Sequence, residues 1–301
     1  MDKGQLIISI DLELAWGVWD HVTREDLRFA AEDERPICAR LVELFDRYQI
    51  PATWAIVAAL LDELSSVGLP GNRACWYAPE VIEQIASAKV HHEIGSHGGR
   101  HRYFDSMTAA QARDDLEFAR DQHRAHDLPF DAFVFPRNSP GHFDVLHDAG
   151  LRAFRGRDRG WFMTASAAGR MAGRSANLVD KLLPIPPTPI SAHWNAQGLV
   201  DIPGSMLLLG RRGMRRFVSA TVTRAKLAMG LARAREAQSI FHFWFHPSNF
   251  YYRRDEQFAT LAWFLGHAAD EASRGRIEIL TMGNCARRLI EAELPAKRLL
   301  Q

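Results

Sequence analysis

The chain has 301 residues, 47% of them hydrophobic and 24% charged, with a formal net charge of +1. That balance belongs to a globular protein with a substantial core and excludes a disordered or fibrous chain. A charge this close to neutral gives no global attraction to polyanions, so nucleic acid is not an expected partner and any membrane contact must come from a local patch.

The three cysteines, Cys38, Cys75 and Cys285, lie far apart with no C-x-x-C. This argues against a disulfide framework and a cysteine zinc site, and it fits a reducing compartment. The apolar run at 6–10 is too short for a signal-peptide core, and no stretch reaches the roughly 18–20 apolar residues of a membrane span. The expectation is a cytoplasmic protein.

In chain order, short apolar runs at 6–10, 52–57, 93–96 and 132–135 read as strands, and they alternate with amphipathic helices at 35–48, 79–88, 108–126 and 141–150. Strands at 151–154, 199–202 and 239–246 follow, with helices at 211–237, 254–274 and 281–292. Such a βαβα rhythm implies an α/β protein of mostly parallel strands joined by crossover helices. The strand number suits a closed or nearly closed (β/α) barrel, with an open doubly wound sheet as the alternative. One domain over 1–301 is compatible with this length. Between about 156 and 190 the pattern dissolves into Gly, Ala, Ser, Arg and Pro, which we read as an irregular surface excursion.

Four segments carry chemistry. Strand alternation in Ser9-Ile10-Asp11-Leu12-Glu13 puts Ser9, Asp11 and Glu13 on one face, so two carboxylates leave the strand end together. In His97-Gly98-Gly99-Arg100-His101 the H-x-x-x-H spacing, if helical, places both imidazoles where they chelate one ion; two histidines, a carboxylate and open positions form a hydrolytic metal site. His91 and His92 read as structural. Phe135-Pro136-Arg137 ends a buried strand with one guanidinium, suited to holding a carboxylate by paired hydrogen bonds. In Ile240-Phe241-His242-Phe243-Trp244-Phe245-His246, alternation sends His242, Trp244 and His246 to one layer. His246, at the strand end, is the candidate general acid or base, and His242 a buried, hydrogen-bonded histidine.

Taken in order, Asp11 to Glu13, Pro51-Ala52-Thr53-Trp54, His97 to His101, Phe135-Pro136-Arg137 and Phe245-His246-Pro247 resemble the polysaccharide deacetylases of carbohydrate esterase family 4. The resemblance is close over about 5–155 and thinner over 199–250. It implies a distorted (β/α) barrel of mostly parallel strands and a divalent metal ion, zinc before others, bound by His97 and His101. The commonest family signature has two adjacent aspartates, whereas here Leu12 follows Asp11. Relatives with an Asp-x-Glu form are similar, and alternation then favours Glu13 as third ligand and Asp11 as base. The family's tryptophan-bearing acidic motif has no clear match: Asp158 near Trp161 is a poor one, and Asp201 is a substitute for the group that tunes His246.

The implied activity is removal of an N-acetyl or similar acyl group from an amino sugar. Asp11 would take a proton from the attacking water, His246 would protonate the leaving nitrogen and Arg137 would orient Asp11. Trp16, Trp194 and Tyr251, with Trp19 and Tyr252, are candidates to stack on sugar faces. The basic stretch over 211–235 has no acid and reads as a helix face that would either stay in solvent, rest on an anionic membrane or hold a phosphate. It hints at a nucleotide- or lipid-linked saccharide as substrate. Two other readings are an allantoinase-like hydrolase of cyclic amides or ureides and a catalytically inactive carbohydrate-binding relative.

Overall fold

The computed structural model describes residues 3–159, 180 and 182–298. Most of the stretch expected to be an irregular excursion, Trp161 included, lies outside them. The strands are β1 (Gly4–Leu12), β2 (Thr53–Ile56), β3 (Glu93–Ser96), β4 (Ala132–Val134), β5 (Ala153–Arg155), β6 (His193–Trp194), β7 (Val200–Asp201), β8 (Met206–Leu207), β9 (Ile240–Phe245) and β10 (Ile277–Leu280).

They form one sheet in the order β6-β7-β5-β4-β3-β2-β1-β9-β8, parallel except where β6 runs against β7. β1 is its centre and is buried along its whole length. One edge pairs Gln5 to Ile10 with β9. The other edge is shared, with β10 on Gly4 to Ile7 and β2 on Ser9 to Leu12. Among the described residues the outer strands β6 and β8 do not pair with each other, so the sheet curls into a half-barrel. Sequence periodicity misses β6, β8 and β10, because two-residue strands carry no alternation and Ile277-Glu278-Ile279-Leu280 is a short run between helices.

Helices cover the outer face, namely α1 (Arg24–Arg28), α2 (Glu34–Tyr48), α3 (Pro79–Ala86), α4 (Ala109–Ala125), α5 (Phe143–Asp148), α6 (Ala220–Glu236) and α7 (Arg254–Ser273), whereas α8 (Met282–Arg298) packs Met282, Cys285 and Ala286 against the opposite face. Local signals fix their starts. Pro79 sits in the first turn of α3, where its missing N–H costs nothing, and Thr108 with Gln111 makes a capping box on α4. One π turn, Phe29–Asp33, joins α1 to α2.

Period-two alternation then sorts the strand side chains. Leu6, Ile8, Ile10 and Leu12 pack with Phe241, Phe243 and Phe245 against helix residues such as Leu41, Phe45, Leu261 and Phe264. The opposite face sends Ile7, Ala55, Val134, Ala153, Ile240 and Leu280 to the barrel interior. Full burial of a large apolar side chain stabilises by roughly 1.5–3 kcal/mol. This greasy lower interior therefore holds the strands in register beneath the polar cluster at their C-terminal ends.

Candidate active site

At the end of β1, Asp11 is buried against the guanidinium of Arg155, the last residue of β5. Arg155 Nη1 donates to Asp11 Oδ1 at 2.7 Å and Nη2 to Oδ2 at 2.6 Å. This two-point geometry suits arginine and a carboxylate. Arg155 Nη1 also donates to Ser9 Oγ at 3.0 Å, and Ser9 lies 2.8 Å from His242 Nε2. His242 Nδ1 faces the carbonyls of Ile202 and Pro203 at 3.2 and 3.1 Å. Carbonyls only accept, so Nδ1 carries the proton and Nε2 accepts from the Ser9 hydroxyl. Burial, aided by the charge of Arg155, pushes His242 down to about 3, so the ring is neutral. Trp244 lies flat beneath Arg155, 4.0 Å from ring centre to guanidinium carbon, and its Nε1 donates to Asp158. Burial would raise Asp11, but Arg155 outweighs it and, with His97 and His246, holds the carboxyl below its usual range.

Glu13 sits one step further out. Its Oε1 is 3.0 Å from both His97 Nε2 and His101 Nε2. His97 Nδ1 donates to the Val134 carbonyl at 2.8 Å, so Nε2 is the ring nitrogen aimed at the carboxylate and the one that could bind an ion. His101 Nδ1 is buried without a hydrogen-bond partner. Three donor atoms from Glu13, His97 and His101 lie within 4.8 Å of one another. Converging lone pairs of this kind repel unless a proton or cation lies among them, and two imidazoles with one carboxylate fit zinc or a similar divalent ion.

The histidine pair does not sit on a helix, contrary to the expectation from its spacing. His97 directly follows β3, and the chain turns back through Gly98 (φ 79°) and His101 (φ 53°). The turn is pinned by Asp115 of α4, whose carboxylate accepts from the N–H groups of Gly99 (2.6 Å) and Arg100 (3.1 Å). The Ala58 N–H also donates to the Gly98 carbonyl. On the Glu13 side, a Cβ at Gly17 would lie 2.0 Å from Glu13 Oε2, so only glycine leaves the carboxylate its place. Leu14 takes a left-handed φ of 46°, with its N–H donating to the buried Glu34 carboxylate at 3.2 Å. Glu34 also accepts from the Tyr251 hydroxyl. Burial pushes Glu34 up to about 7, and the nearby Glu13 adds to the lift.

His246, the residue after β9, completes the cluster. Its Nε2 is 3.4 Å from Glu13 Oε1 and 3.6 Å from Asp11 Oδ2. Burial would lower it, but the Glu13 and Asp11 carboxylates outweigh burial and raise it to about 9. Burial would likewise raise Glu13, yet His246 and His101 hold it well below the usual range.

Asp11, Glu13, His97, His101 and His246 are therefore brought together as their strand positions imply. Arg137 is not. It adopts a left-handed φ of 57° that turns its side chain to the rim, where it donates to Asp20 at 3.0 Å. The guanidinium on Asp11 is Arg155 instead. The reading of the strand as 151–154 stops one residue short of it. Extending the alternation from Ala153 would have put Arg155 on the inner face.

Among the aromatic candidates, Tyr251 lines a cleft of about 250 Å³ together with Glu13 and Tyr252. Trp16 is instead core, edge-on to Trp76 with its Nε1 donating to the Trp76 carbonyl. Trp194 packs against the lower interior cluster. Trp19 donates to the His101 carbonyl at 3.0 Å. Asp201 faces His193 rather than His246. Asp158 accepts from Trp244 and is pushed up to about 6 by burial, partly offset by Arg155. The basic stretch is not a uniform solvent face: Arg211 and Lys226 are buried and hydrogen-bonded, and the helix begins only at Ala220.

Residues 27–153 match the family model for polysaccharide deacetylases. No curated protein matches the chain. Its fold is shared by solved structures that include the following three. One, from Mycobacterium smegmatis and assigned to the polysaccharide deacetylases, is 15% identical with a TM-score of 0.66, covering 98% of this chain and 93% of that one. Another so assigned, from Pseudomonas aeruginosa PAO1, is 16% identical with a TM-score of 0.61, over 94% and 89%. The Puue allantoinase is 15% identical with a TM-score of 0.62, over 94% and 89%.

Proposed function

We infer, from the match of residues 27–153 to the polysaccharide deacetylase family model, that this protein is a metal-dependent hydrolase removing an N-acetyl or similar acyl group from an amino sugar. The observation that carries the reading is the shared oxygen: Glu13 Oε1 lies 3.0 Å from His97 and His101 and 3.4 Å from His246. A divalent ion held by Glu13, His97 and His101 would supply polarisation of the acyl carbonyl and a more acidic water.

The remaining work falls to the chain's own groups. Arg155 keeps Asp11 ionised and aimed, so Asp11 is the base that takes the proton of the attacking water. Being held below its usual range makes Asp11 a weak base, and it needs an acidified water. His246 faces both carboxylates and delivers a proton to the departing amine. With Glu13 neutralised by a ligated cation, part of the lift on His246 is lost and it returns toward the range where acid and base forms interconvert. The Tyr251 ring, stacked on Phe29 with centroids 4.4 Å apart, offers a fixed flat wall for a sugar ring.

The test is acetate release from a panel of acetylated amino sugars, free and carrier-linked, with and without chelator. Chelator-sensitive acetate release is the expected result. Ring opening of a cyclic ureide without acetate release would select the allantoinase-like alternative, and glycan binding without any turnover the inactive one.

A further inference from the structure

The turn between β8 and α6 is built differently on its two sides. Arg211 is buried and staples it, donating to the Val218 carbonyl at 2.7 Å and to Gln257 and Thr223 at 3.2 Å each. Within this bracket lies a 3-10 helix, Gly213–Phe217. Side chains three residues apart eclipse in a 3-10 helix, so Met214 and Phe217 share one edge. Both face solvent, 78% and 62% exposed. The Arg216 guanidinium lies over the Phe217 ring at 4.9 Å. Arg212 and Arg215 turn the other way and line the cleft that contains Glu13 and Tyr251. Arg212 is held there by Glu25 and Asp26 at 3.0 and 2.8 Å.

A tip of two large apolar side chains flanked by guanidinium groups, with no acid from Arg211 to Val218, has the chemistry of an interfacial anchor on an anionic bilayer. We propose that this turn seats the protein on an anionic lipid surface, Met214 and Phe217 entering the interface, so that Arg212 and Arg215 meet the phosphate of a lipid-linked amino sugar whose acyl group lies at Glu13. The substrate half of this proposal rests on the deacylase reading above; the docking half does not. Arginine pairs with phosphate oxygens at two points, and Arg212, Arg215 and Glu13 line one cleft, so a single molecule carrying both a phosphate and an acyl group can reach all three.

Docking is read without activity, by co-sedimentation with phosphatidylcholine vesicles with and without phosphatidylglycerol. The wild-type chain should bind the phosphatidylglycerol vesicles and release as salt rises. Met214→Ser/Phe217→Ser, both exposed and so neutral to folding, should bind roughly tenfold or more weakly. The same variant should deacylate a soluble acetylated amino sugar at the wild-type rate but lose turnover on a lipid-phosphate-linked one presented in those vesicles. Absence of wild-type binding, or equal binding by the variant, overturns the proposal even if deacylation is found. Competition of the soluble reaction by inorganic phosphate with no vesicle binding would assign Arg212 and Arg215 to a soluble phosphate and overturn the lipid source. Vesicle binding with no deacylation of any substrate would instead remove the reading of the site and leave the docking in place.

Discussion

Asp11 and Glu13 leave the same face of one strand two residues apart, and their surroundings differ in almost every respect. The Asp11 side chain is 2% exposed and is met by the Arg155 guanidinium, which itself lies over Trp244 and donates to Ser9. The Glu13 side chain is 12% exposed, faces three imidazoles and opens on the cleft. Two residues of extended chain, about 6.6 Å at roughly 3.3 Å per residue, thus separate a sealed pocket with a permanent cation from a cluster of imidazoles at the edge of the cleft. A guanidinium cannot be exchanged for a metal ion, whereas imidazole lone pairs can accept one. On the proposed reading, proton handling and metal holding would be divided between the two carboxylates by their partners.

The largest effects break this division outright. Glu13→Gln or His97→Ala should empty the metal site and abolish turnover, read as metal content per chain and acetate release. If Asp11→Asn empties the site while Glu13→Gln stays loaded, the two assignments are reversed.

Asp11→Asn should keep its metal and lose about two or more orders of magnitude in kcat, as expected for loss of a general base. Loss confined to KM would make Asp11 a binding group and merge the two pockets into one.

Arg155→Met sharpens the contrast from the partner's side. It leaves a buried carboxylate unpaired, and breaking a buried pair costs about 3–5 kcal/mol of stability. Denaturant unfolding reads this cost. The acidic limb of the kcat/KM profile should also move to higher pH, because Asp11 loses the charge that holds its carboxyl low. Arg137→Met, whose guanidinium meets Asp20 at the rim, should leave that limb where it is.

The smallest effect is a pH dependence of the sealed pocket. His242 titrates near 3 when folded and at its ordinary value near 6.5 when unfolded. Between those values the unfolded chain binds the extra proton, so stability falls as pH drops through this window and is unaffected by His242 above it. The slope is at most about 1.4 kcal/mol per pH unit for one proton. It should be shallower in His242→Gln, measured as unfolding free energy against pH; an unchanged slope would mean the ring is not held neutral.

What the sequence discloses follows the same line. Asp11, Glu13 and His246 are legible because strand alternation is strict and a proline after His246 marks the strand end. The His97 and His101 pair is legible as a donor set but not as a shape, since its geometry comes from Gly98, a left-handed His101 and Asp115 on a distant helix. Arg155 is hidden because partner choice among arginines depends on which strand ends lie side by side, and both Arg137 and Arg155 close inner-strand runs. Only the left-handed backbone at Arg137 sends one away. Glu34 is hidden for a similar reason: nothing local in α2 says that its first residue is the acceptor for Leu14 and Tyr251.

The divided edge of β1 has a bearing on how the molecule comes into being. During synthesis β1 emerges well before the strand that pairs with Gly4 to Ile7, which is Ile277–Leu280. At about 5–20 residues per second that partner follows roughly ten to fifty seconds later. Until then an apolar strand has half an edge open to any other extended chain. Growth should therefore be vulnerable to aggregation until Ile277–Leu280 is made, and a nascent chain halted before Ile277 should bind chaperones that one halted after Leu280 releases.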